Sequence, residues 1–229
     1  MKIKYKLNKI QDRIYHCVIN DTYDLAMTFC RVQEFYESPF KQIRGKNFKI
    51  LDFMKLYSQK RGECFFGYPI DWCGFNIPGP IIEDCYFGKI IEDSNDYDNV
   101  IEEIHFKVLS DIGEEHNQTC PKYYLIATEA EDEDTLKHEI CHALYYVHDE
   151  YKKKANSIVK KLSRECYDKL TLALTELGYT KKVFKDELQA YITTGISALE
   201  YKVKLTKQDK KNINDLKIEL LQNFNNFFN

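Results

Sequence analysis

All five prolines lie before residue 122, at Pro39, Pro69, Pro78, Pro80 and Pro121, and only Gly178 and Gly195 follow Gly113. Proline fixes its backbone and lacks an amide donor, and glycine weakens regular structure, so both mark turns and element ends. Their crowding into one half of a 229-residue chain predicts an α+β protein: a mixed α/β first half with a small sheet, then an almost wholly helical second half.

Within the first half, residues 2–6 and 15–19 are expected as short strands. A helix over 22–37 is capped near Asp21 and stopped by Ser38-Pro39. Further helices are expected at 51–59 and 98–110. The aromatic stretch 64–88, with its Gly and Pro, suits turns and short strands, and KYYLIATE at 122–129 suits a strand. An acidic run at 131–134 precedes a helical pattern to about residue 162, and Ser163 caps another helix ending at Gly178. A helix over about 181–194 follows. The last opens at Thr206 with Asp209 and carries an apolar stripe of Ile213, Leu216, Leu220, Leu221, Phe224, Phe227 and Phe228, suited to packing on its own domain.

Bulk composition narrows the partners. Basic residues number 33 and acidic ones 36, for a net charge of −3, so no cationic surface for nucleic acid is expected. The start, MKIKYKLNKIQDR, has no apolar core of a signal, and no stretch reaches the ~18 apolar residues of a membrane span. A cytoplasmic protein is expected. Its eight cysteines contain no C-x-x-C and are read as reduced thiols packed as small apolar groups.

The chemistry lies in His138-Glu139-Ile140-Cys141-His142. Two histidines four apart project from one side of a helix and can share a zinc ion, while the Glu after the first can act as general base. With ~100° per residue, Leu136, Ile140, Ala143, Leu144 and Val147 form a core stripe. His138, His142, Tyr145 and Asp149 fall on the opposite side.

A catalytic zinc needs a third protein ligand. His148 gives H-E-x-x-H-x-x-Y-x-x-H, a spacing that resembles the metzincin peptidases, with Tyr145 where they carry Gly. A helix continuing through Tyr145 turns His148 away, and no methionine follows the motif as a metzincin turn requires. Glu187, in Lys185-Asp186-Glu187-Leu188-Gln189-Ala190-Tyr191, is preferred: the segment is helical and small Ala190 permits a close approach. Glu150, Glu165 and Glu176 are its rivals.

Together, His138-Glu139-x-x-His142 and Glu187-x-x-Ala190-Tyr191 resemble the gluzincin zinc metallopeptidases over about residues 122–195. The resemblance implies a zincin-like region at 101–229, with an active-site helix at about 135–162 and a third-ligand helix at about 181–194. Residues 1–100 form a mixed region without an assigned role. It further implies one Zn²⁺ per chain held by His138, His142 and Glu187, Glu139 as general base, and a peptide or protein substrate. Tyr191 and Tyr145 are the first choices to steady an oxyanion, with His105 and His116 behind them. Asp149 is a candidate acceptor for a ligand histidine, and a substrate strand is expected to pair along Tyr123–Thr128. Two alternatives stay open: a binding or structural protein that keeps the zinc site, and a deformylase-like zinc amidase. Against the amidase, Gly62-Glu63-Cys64 inverts that family's cysteine motif.

Overall fold

A computed structural model describes residues 3–72, 74–87, 90–113, 121–129 and 133–228. Among them are four strands and eleven helices, an α+β architecture. The chain forms two compact units, Met1–Leu136 and Lys137–Asn229. The division therefore falls inside the helix bearing the H-E-x-x-H motif rather than near residue 100.

In the first unit, β1 (Lys6–Gln11) and β2 (Ile14–Val18) make a hairpin. Its turn holds Arg13 at φ 61°, the one non-glycine with positive φ among the described residues. Both strands are offset from the expected positions. Helix α1 (Thr22–Glu37) starts where Asp21 accepts a hydrogen bond from the Asp24 amide at 2.8 Å, the capping that the sequence foretold. Next come α2 (Ile50–Arg61), α3 (Tyr68–Asp71), β3 (Gly74–Pro78), α4 (Gly79–Tyr86), α5 (Asp96–Ile112) and β4 (Tyr124–Thr128). The aromatic stretch is thus one strand between two short helices, because Pro69 and Pro80 sit in first helical turns, where a missing amide proton costs nothing.

Strand order is β1-β2-β4-β3, with β2 and β4 parallel and the other pairs antiparallel. Strand β4 is buried along its whole length, as expected for a strand covered on both faces. One face of the sheet carries Tyr15, Cys17, Phe75, Ile77, Leu125 and Ala127 into a core with Phe29 of α1 and Ile104 of α5. Burying a ring such as Phe29 contributes about 2–3 kcal/mol. At Gly79 a Cβ would stand 2.2 Å from the Tyr123 ring, so only glycine admits that packing.

The second unit is helical. Helix α6 (Glu133–Val147) enters it, followed by α7 (Asp149–Val159), α8 (Arg164–Glu176), α9 (Phe184–Thr194), α10 (Ser197–Glu200) and α11 (Lys207–Phe228). The helix expected over 135–162 is two helices. His148, at φ −108° and ψ 105°, leaves the helical region and becomes the residue before α7. Ser163 caps α8 by accepting from the Cys166 amide. At α11, Thr206 and Asp209 exchange side-chain-to-backbone bonds of 2.9 and 3.1 Å. The buried stripe Ile213, Leu216, Leu220 and Phe224 packs this helix on α7 and α9.

Six free cysteines stand among the described residues, all buried except Cys64. No helix among these residues is long and apolar enough to cross a membrane.

Candidate metal centre

Helices α6 and α9 build the site. His138 and His142 lie one helical turn apart on α6, and Glu187 comes from the first turn of α9. Small Ala190, three residues after Glu187 on α9, is fully buried. His142 Nε2 lies 3.2 Å from His138 Nε2, and Glu187 Oε2 is 3.7 and 3.9 Å from those two nitrogens. Among the described residues this is the one group of His, Cys, Asp or Glu side chains suited to an ion.

The hydrogen bonds around the cluster fix which atoms face inward. His142 Nδ1 donates to Asp186 Oδ1 at 2.8 Å. Asp186 also accepts from Gln189 Nε2, and Gln189 Oε1 accepts from the Tyr151 hydroxyl. On the other histidine, Nδ1 donates to Thr194 Oγ1 at 3.3 Å, since the threonine's own proton goes to the Ala190 carbonyl. Both Nδ1 atoms are spent as donors, so in the neutral rings both Nε2 atoms are lone pairs. They confront each other and Glu187 Oε2, a buried oxygen with no hydrogen-bond partner among the described residues. Three acceptors converge with no donor between them, and a cation completes such an arrangement.

The spacing also suits an ion. From the three distances, the in-plane point equidistant from the atoms is about 2.1 Å from each, within the ~2.0–2.2 Å bonds that nitrogen and carboxylate oxygen make to zinc. Without an ion, protons redistribute. Burial opposes a charge on His142, yet Asp186 and Glu187 outweigh it and raise its pKa well above the ordinary value. Burial, then the neighbouring His142, lowers His138 to about 4. Burial lifts Glu187 to about 7, against the pull of His142. The cluster thus holds a proton where a metal would displace it.

The structure brings some expected residues to this cluster and places others elsewhere. Glu139 is buried next to His138, and its charge raises the pKa of both Tyr191 and Tyr179 behind the larger effect of burial. The Tyr191 ring lies edge-on to His138 with centroids 4.7 Å apart. Tyr145, in contrast, donates its hydroxyl to Asn156 at 3.0 Å. His148 lies against Phe227, rings tilted and centroids 5.5 Å apart, and is outside the metal group. The helix break re-aims it, but not toward the other two histidines. His105 is fully buried in the first unit, bonded to Tyr123 at Nδ1 and Glu83 at Nε2. His116 lies outside the described residues. Asp149 is exposed at the start of α7, and Asp186 takes the role assigned to it. Strand β4 is an interior strand, bonded on both sides, so no substrate strand can add along it.

Sequence reasoning gave no role to three residues at the cluster. Asp186 and Thr194 orient the histidines, and Tyr179 brings its hydroxyl within 3.4 Å of that of Tyr191. The only signal for Asp186 was its place beside Glu187; Thr194 and Tyr179 required the tertiary packing. No protein-family model matches the chain, and neither does any curated protein or solved structure.

Proposed function

We propose that the chain is a zinc-dependent metallopeptidase of gluzincin type, with a zincin-like metal site on its motif helix and third-ligand helix. The observation that carries this is the convergence of two lone-pair nitrogens and one partnerless carboxylate oxygen at zinc-like spacing, with Glu139 beside them. His138, His142 and Glu187 hold the ion. When bound, zinc supplies Lewis-acid chemistry, polarising a peptide carbonyl and acidifying a water toward a pKa of ~7. Glu139 takes the proton of the attacking water on its carboxylate and returns it to the leaving amine nitrogen. The Tyr191 hydroxyl, on the His138 side, donates to the carbonyl oxygen as its negative charge grows. Asp186 and Thr194 hold the two imidazoles in the tautomer that leaves Nε2 free for the metal.

A second reading has its own support. The ligand side chains are only 17, 5 and 10% exposed for His138, His142 and Glu187, and the strand nearest in sequence to the motif is closed to a substrate. Both features suit a non-catalytic protein that keeps a structural zinc. The deformylase-like alternative requires a cysteine ligand, and among the described residues none joins the group.

The deciding experiment is Glu139→Gln. One zinc per chain by elemental analysis, with peptide-library cleavage reduced ~10³-fold or more relative to wild type, is the expected result. Wild-type protein that binds zinc but cleaves nothing establishes the structural reading instead.

A further inference from the structure

The first unit holds a cleft of about 510 Å³ that contains none of the metal-group residues. Its floor is the face of the sheet turned away from the core. Strand register sets Lys6 opposite Val18 and Val18 opposite Thr128, with Asn8 opposite His16 in the next row, and directly opposed residues share a face. The cleft lies over the carboxyl ends of the parallel strands β2 and β4, where α1 and α6 begin. Open sheets gather ligands at such ends.

His16 makes this a built site. It is only 8% exposed, and its Nε2 meets Thr128 Oγ1 at 2.9 Å. The threonine proton goes to the Glu129 carbonyl at 2.8 Å, so Oγ1 accepts and His16 Nε2 donates. Burial lowers the His16 pKa and keeps the ring neutral. Its Nδ1 is therefore a lone pair without a partner among the described residues, on a side chain lining the cleft. It asks for an N–H or O–H donor.

Charges of opposite sign stand on the two sides. Lys4 and Lys6 come from the β1 side, and Glu129 and Glu133 from the β4 side. Thr22 holds Glu129 in place through a short hydrogen bond from its hydroxyl to Oε1. From β1 to β4 is two strand spacings, about 10 Å of backbone, which the side chains shorten from both ends. An anion alone would meet the glutamates, and a cation alone the lysines. A ligand carrying both charges a few bonds apart, with an N–H between them, satisfies all three demands.

We propose that this cleft binds a short peptide with free termini, a di- or tripeptide. Its ammonium group faces Glu129 and Glu133, its carboxylate faces Lys4 and Lys6, and an amide N–H is donated to His16 Nδ1. The proposal stands whether or not the metal centre cleaves peptides.

Titration of the full-length, zinc-loaded Glu139→Gln protein with trialanine by calorimetry tests it. Saturable binding of one peptide per chain is expected, weakened at least tenfold by N-acetylation or by C-amidation. Lys6→Glu, an exposed change that leaves the core untouched, should weaken binding at least tenfold, and His16→Phe should too if its circular dichroism matches wild type. His138→Ala should leave it unchanged. Absence of saturable binding, equal binding of the blocked peptides, or loss in His138→Ala with retention in Lys6→Glu overturns the proposal; the last places the peptide at the metal centre.

Discussion

His105 in the first unit and His142 in the second are both buried, and each bonds one ring nitrogen to a carboxylate, Glu83 at 2.9 Å and Asp186 at 2.8 Å. They differ at the other nitrogen. His105 meets the Tyr123 hydroxyl at 2.7 Å and is complete within its own core. His142 instead faces His138 and the partnerless oxygen of Glu187. Burial plus a carboxylate partner therefore does not distinguish a structural histidine from a ligand. What distinguishes them is whether the second nitrogen ends on a donor or acceptor that the fold supplies, or on other acceptors that only a cation can reconcile.

The strongest way to break this contrast is to delete each imidazole in turn. His142→Ala should abolish stoichiometric zinc binding, a loss of more than ~10³ in affinity when one of three ligands goes. His105→Ala should keep one zinc per chain but destabilise the fold by about 2–4 kcal/mol through its cavity and the loss of its hydrogen bonds to Glu83 and Tyr123. Competition with a chelating dye reads the first, and urea unfolding the second. Zinc loss in His105→Ala at native ellipticity would erase the distinction.

A parallel pair of carboxyls sharpens it. Burial lifts both Glu34 of the first unit and Glu187 of the second to about 7. A carboxyl whose folded pKa exceeds its unfolded value near 4.5 keeps its proton longer in the native state. Stability should therefore fall as pH rises from about 4.5 to 7, by on the order of 3 kcal/mol for Glu34. In saturating zinc Glu187 stays ionised, which leaves Glu34 as the carboxyl that burial raises to about 7 in that window. Urea midpoints of Glu34→Gln should fall less steeply than those of wild type over that window and lie above them at pH 8.

The smallest effect concerns the orienting partners. Asp186→Asn should weaken zinc affinity about 10–100-fold, as loss of a second-layer hydrogen bond does. Glu83→Gln should not change it. Chelator competition on both variants measures the difference.

The sequence made local features plain. Asp21, Ser163, and Thr206 with Asp209 act within three residues of the helices they open, so capping chemistry is visible in the order of residues. The spacing of His138 and His142 is likewise local, and Glu187 stood out because its neighbours read as a packed helix. Other features were hidden. The break at His148 has no Pro or Gly to announce it. The interior position of β4 depends on pairing with residues far along the chain on both sides, and an alternating or apolar pattern gives burial but not neighbours. Tyr145 and Tyr191 are both tyrosines close to a motif residue, but only tertiary packing assigns one to Asn156 and the other to His138.

The parallel pairing of β2 with β4 also sets a schedule for synthesis. His16 and its partner Ile126 are over a hundred residues apart. At ~5–20 residues per second, β2 leaves the ribosome on the order of ten seconds before the strand that completes it. In that interval the hairpin of β1 and β2 carries an additional open row of backbone amides and carbonyls along β2, a template for any passing strand. Contacts this distant also slow folding after release. Yield of folded protein should therefore respond to translation rate and growth temperature more than to changes in the helices of the second unit, which close their contacts over shorter stretches of chain.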